Sequence, residues 1–192
     1  QLITPYPIHT GAPYIPYPPP YIMPRVGCGS KIAEYDELIA TMTSGNWGED
    51  IFPAEGARFL ESGIYCIDGD FVLEAGQSLQ GSNVVLVVEG DIKINGNAFV
   101  DISAPTGGQF QGLLIYMPIE NNGILVLNGG AGSSYRGTIL APGADVRING
   151  LDALEGTYHS QIIGYFIEVD GTGNIYIKYK DEQNYDTLTM PE

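Results

Sequence analysis

Carboxylates dominate the chemically capable side chains of this chain: 23 aspartates and glutamates against 8 lysines and arginines and 2 histidines in 192 residues. Glycoside hydrolysis needs two carboxyl groups about 5 to 9 Å apart in a cleft. Asp68, Asp70 and Asp91 on one flank, or Glu89 and Asp101, are the candidates. A chain this acidic brings some carboxylates to that spacing whatever its role, so no catalytic pair is expected. His159 and Ser160 are adjacent, and neighbours on a strand point to opposite faces, so they form no dyad. His159 reads instead as a structural residue at the start of a strand. Calcium is the alternative use for the acids. "DGD" (Asp68 to Asp70) and "DGTGN" (Asp170 to Asn174) offer hard oxygen ligands in turns, but neither fits a helix-loop-helix calcium loop or a nonapeptide repeat. Asp68, Asp70 and Asp170 serve equally well as turn residues bonding their own backbone. No cysteine–histidine cluster suits zinc, and no glycine-rich loop leads into a helix to hold phosphate. The expectation is a protein without enzymatic activity or cofactor.

Those acids sit in a pattern of strands. From Gly63 onward the apolar residues alternate with period two in short runs bounded by turn residues, among them "DFVLEAG", "NVVLVVEG", "DIKING", "GILVLNGG", "ADVRING" and "SQIIGYFIEVDG". Corner pairs recur after these runs at Asp68-Gly69, Asn95-Gly96, Asn128-Gly129, Asn149-Gly150 and Asp170-Gly171, at intervals of 27, 33, 21 and 21. A second series ("NVVLVV", "GLLIYM", "RGTILA", "SQIIGY") interleaves with the first. Two staggered series at this period predict an all-β, right-handed parallel β-helix, with Asn95, Asn128 and Asn149 stacked as a ladder along one corner. The competing fold is an antiparallel sandwich with each pair as a hairpin turn. Earlier in the chain, Ile32, Tyr35, Leu38, Ile39 and Met42 are spaced three and four apart, which predicts a helix over Ser30–Thr43 that caps the first coil. Cys28 and Cys66 are either a disulfide pinning that cap, which would contribute about 4 kcal/mol, or two buried thiols.

The first 24 residues differ from all that follows. They carry no formal charge, eight of the 13 prolines, and Tyr6, Tyr14, Tyr17 and Tyr21. Proline blocks helix interiors and sheet ladders, so the segment reads as an extended polyproline-like strip. The organisation expected is an extended tail over 1–27, the capping helix and a linker over 28–62, the β-helix body over 63–186 and a short tail over 187–192. A net charge of −15 argues against nucleic acid and anionic membrane as partners. No run of apolar residues is long enough to span a membrane, and no basic, then apolar, leader stands at the start; an exported protein would be expected to appear here in mature form.

"GIYCIDGDFVL", "INGNAFVDISAPTGGQFQGLLIYMP", "GTILAPGADVRING", "YHSQIIGYFIEVDGTGNIYIKY" and "DEQNYD" together resemble the C-terminal β-helical domain of bacterial Tad-like (TadE/TadG-like) pilus-assembly and cell-surface proteins. The resemblance covers roughly 63–186. It implies an exported, non-enzymatic protein near a bacterial envelope. Members typically begin with a membrane-spanning helix, where this chain has the neutral strip. Acidic bodies repel, and a neutral strap joins them without adding like charge. The function expected is a subunit of an extracellular, head-to-tail homopolymer, with Pro5, Tyr6, Pro7, Tyr14, Ile15, Pro16, Tyr17 and Tyr21 docking on a neighbouring subunit. The alternative is a monomeric anchored surface domain, adhesive or glycan-binding, with the strip as spacer.

Overall fold

A run of alternating apolar residues leaves unpaired main-chain groups on both edges, and in this chain each run meets its own repeat. A computed structural model describes residues 23–128, 132–150, 157–159, 161–171, 176–177 and 184–185. The strip residues named above, Ser160 and Asn174 lie outside these. One compact unit, Val26–Asp186, holds the strands.

The strands wind into a parallel β-solenoid with three faces. The first face stacks β3 (Gly45–Trp47), β6 (Gly63–Ile67), β9 (Val84–Val88) and β12 (Leu113–Tyr116). The second stacks β4 (Ile51–Phe52), β7 (Asp70–Leu73), β10 (Ile92–Ile94) and β13 (Ile124–Asn128). Two long strands, β15 (Thr138–Gly150) and β17 (Ile162–Gly171), turn the corner and extend both faces. The third face runs from β2 (Thr41–Met42) through β5 (Phe59–Leu60), β8 (Ser78–Gly81), β11 (Phe99–Ser103), β14 (Ser134–Arg136) and β16 (Thr157–His159) to β18 (Tyr176–Ile177). Every one of these pairings is parallel, so the corner pairs are not hairpin turns.

Register sets the core. Phe52, Phe71, Ile92, Leu125 and Val146 stack as one inward column of the second face, and Leu73, Ile94, Leu127 and Ile148 as the next. All are buried. Burying each such side chain stabilises the fold by about 1.5–3 kcal/mol before entropy is counted. At the base, the Phe52 ring meets Phe71 at 5.5 Å and Tyr65 at 5.7 Å between centroids. The repeat is 21 residues, as between Asp70 and Asp91, but 33 between Asp91 and Ile124. The fourth turn absorbs the surplus in the loops after β11 and β12, which leave the sheets without disturbing register.

The capping helix over Ser30–Thr43 is not formed; among the described residues there is no helix. Asp36 Oδ1 accepts the N–H of Leu38 (2.9 Å), and Ala40 has a φ of 51°. These close a turn between β1 (Tyr35–Asp36) and β2, which pair antiparallel. A lone helix of this length is marginal and needs an apolar bed. Leu38 and Ile39 find none, being 95% and 60% exposed. The solenoid's first edge instead recruits the backbone, through Ala33 N to Asn46 O (2.9 Å) and Asn46 N to Lys31 O (2.7 Å). Capping is therefore done by extended chain, and pairing starts at β2, within the stretch expected as cap and linker.

Candidate functional site

Where the first face turns into the second, Gly69, Gly90 and Gly143 each lie against the main chain of the turn before. A Cβ on Gly90 would collide with Gly69 O, and one on Gly143 with Ile119 O. Acidic and amide side chains then staple the turns together. Asp70 Oδ1 accepts the N–H of Asp91 (2.8 Å), and Asp91 Oδ1 accepts that of Ile124 (2.9 Å). Asp91 Oδ2 pairs with Lys93 Nζ at 2.9 Å. The Ile124 amide, followed by Lys93, holds the Asp91 carboxyl below its ordinary value, against the opposing effect of partial burial. Asn121 Nδ2 donates to Glu89 O and Gly90 O (2.9 Å each), while its Oδ1 accepts from Gly123 N (2.8 Å). Sequence spacing does not reveal Asn121, because it stands in the enlarged fourth turn, outside the 21-residue period.

The second corner gathers most of the Asx-Gly pairs. Asn128 pairs with Asn149 and Asn149 with Asp170, and Asn95 follows Ile94, the partner of Leu127, so the four occupy equivalent positions. Asn149 Nδ2 donates to Asn128 Oδ1 (2.6 Å), whereas Asn95 Nδ2 donates down the column to Glu74 Oε2 (2.6 Å). Asp68 stands apart, after Ile67 at the first corner. Asp68 and Asp70 therefore share no corner with Asp170. The flank between the two corners carries a shallow depression of about 290 Å³ lined by Val72, Lys93, Val126 and Arg147, among others. Arg147 pairs with Glu168 at 3.3 Å.

The remaining candidates separate. Asp101 bonds Arg136 (2.7 Å) on the third face, away from Glu89 at the first corner. His159 continues the column above Arg136 in β16. Among the described residues no three histidine, cysteine, aspartate or glutamate side chains converge on a point where a metal ion would be held. Cys28 and Cys66 form a disulfide, which ties the entering chain to β6.

Apart from Phe59 on β5, the large exposed apolar residues among those described lie at the two ends. Ile32, Leu38, Ile39 and Ile51 are at the N-terminal end, and Phe166, Ile167 and Val169 lie on β17 at the other. Ile167 and Val169 extend the columns of Val146 and Ile148, yet are 44% and 56% exposed where those two are 0%. This end surface is legible in sequence only once the repeat is recognised, because it is formed by inward residues of a strand that, among the described residues, pairs on one side only. No protein-family model, curated protein or solved structure matches the chain.

Proposed function

We propose that the chain is a structural subunit of an extracellular bacterial surface filament, allied to the Tad-like surface proteins its motifs resemble, and that it is not an enzyme. The observation that carries this reading is the apolar end at β17, where the inward-facing Ile167 and Val169 stay about half exposed. A solenoid whose last inward residues stay half exposed is completed by whatever stacks on it, and a head-to-tail contact of this kind propagates instead of closing. The neutral strip supplies a strap across bodies that otherwise repel. The solenoid takes the right-handed wind favoured for parallel crossovers. The disulfide fits an oxidising compartment outside the cytoplasm. Among the described residues no helix is long and apolar enough to cross a membrane.

Electron microscopy and light scattering of the intact chain beside one beginning at Arg25 test the proposal. Filaments from the first and monomers from the second are expected. Monomers from both, with a strip that proteases remove, would return the chain to the alternative of an anchored surface domain whose strip is a spacer.

A further inference from the structure

Hydrogen-bond direction in this solenoid depends on which way a side chain points. Inward residues donate their N–H towards the following turn: Phe71 to Asp91 O (2.8 Å), Met117 to Leu140 O (2.9 Å), Ile139 to Gln161 O (2.8 Å). Outward residues donate to the turn before: Gln80 to Arg58 O (2.9 Å), Phe99 to Gln77 O (2.9 Å), Asp145 to Gly123 O (3.1 Å). In β17 the inward residues are Ile167 and Val169, so their N–H groups point beyond the strand's outer edge. Among the described residues β17 pairs with β15 alone. That end therefore offers main-chain donors and acceptors together with half-exposed aliphatic side chains, which is the chemistry of a strand acceptor.

The strip has the matching pattern. N–H groups along an extended strand alternate between its two edges. From Gln1 to Ile15 every proline (Pro5, Pro7, Pro13) stands at an odd position, and Pro16 is the first to break the parity. In Thr4–Thr10 the missing donors thus fall on one edge, and Thr4, Tyr6, Ile8 and Thr10 keep theirs on the other. A strand of this kind pairs from one side and ends the sheet on the other, a setting in which a sheet accepts proline readily. Thr4, Tyr6, Ile8 and Thr10 are β-prone and the segment carries no acidic residue, so it brings no like charge beside Glu168.

Building on the filament reading, we propose that Thr4–Thr10 of one copy adds to β17 of a second copy as its last strand and covers Ile167 and Val169. Three substitutions in the full chain test the parity. Ile8→Pro removes a donor on the pairing edge, and Val169→Glu places a charge on the acceptor. Each is expected to weaken self-association about tenfold or more, as an unreplaced main-chain hydrogen bond or a buried charge does. His9→Pro removes a donor only from the outer edge and should stay within about twofold of the parent.

Mixing the I8P and V169E chains gives the strand one intact donor and one intact acceptor, on different molecules. A one-to-one dimer and nothing longer is expected by light scattering. Failure of the mixture to pair, or equal damage from H9P and I8P, overturns the proposal. Filaments that survive both I8P and V169E overturn the β17 contact while leaving the filament reading intact. A parent chain that stays monomeric overturns both.

Discussion

At the scale of single residues, Asp36, Asp70 and Asp91 work as acceptors for main-chain amides. Asp91 is the clearest case, because one carboxylate holds the turn after it through Ile124 and its own strand through Lys93. Its folded pKa lies below the unfolded value, so its stabilisation is present above about pH 4 and is lost as the pH falls through the folded pKa. Asp91→Ala should therefore destabilise the protein at pH 7 by about 1–2 kcal/mol, a charge-assisted bond discounted for partial exposure. The gap from the parent should narrow in urea titrations carried out near pH 3. A gap that is the same at both pH values would mean that Asp91 acts through its shape and not its charge. None of this was legible from spacing. "DGD" looks like a cation ligand, and only the register shows that Asp70, like Asp91 after it, already serves the next turn.

At the scale of elements, period-two runs and corner pairs announce the rungs of the solenoid from Gly63 onward, and Asn128, Asn149 and Asp170 fall into one column because their 21-residue spacing is the true repeat. The same logic misplaces Asp68, since both corners use an Asp-Gly or Asn-Gly pair and spacing alone does not say which corner a pair occupies. The apolar spacing in Ser30–Thr43 predicts a helix because it records only which residues are apolar. It does not record that an open sheet edge nearby demands hydrogen bonds, and the edge wins. Corner geometry also makes a sharp prediction about glycine. Gly90→Ala drives a Cβ into Gly69 O and the Asp70 carboxylate, both held by pairing, and should cost about 1–3 kcal/mol in thermal or urea unfolding. Gly107→Ala, in the fourth-turn loop with nothing within 4 Å of the added carbon, should leave stability unchanged. Equal effects from the two would mean that the corner relaxes freely.

At the scale of the whole molecule, repetition makes the ends the weakest part of the body, since every inner turn is supported from both sides and the terminal ones from one. The disulfide secures the first end by closing a loop with a sequence separation of 38, about 4 kcal/mol in the chain-entropy account. At the β17 end the chain's charge becomes decisive. Each copy carries −15, so bringing ends together at low salt works against repulsion between whole bodies. The strap adds no charge, and the end it is proposed to cover presents Ile167 and Val169. Apolar and main-chain contacts of this kind gain nothing from long-range attraction and lose nothing to screening. Self-association should therefore strengthen as salt is raised from about 0.01 M, where charges are felt over about 30 Å, to about 1 M, where the reach is about 3 Å. A contact built from ion pairs across the interface would show the opposite slope. Light scattering over that salt range distinguishes the two, and association that weakens with salt would replace the neutral strap with a charge-paired interface.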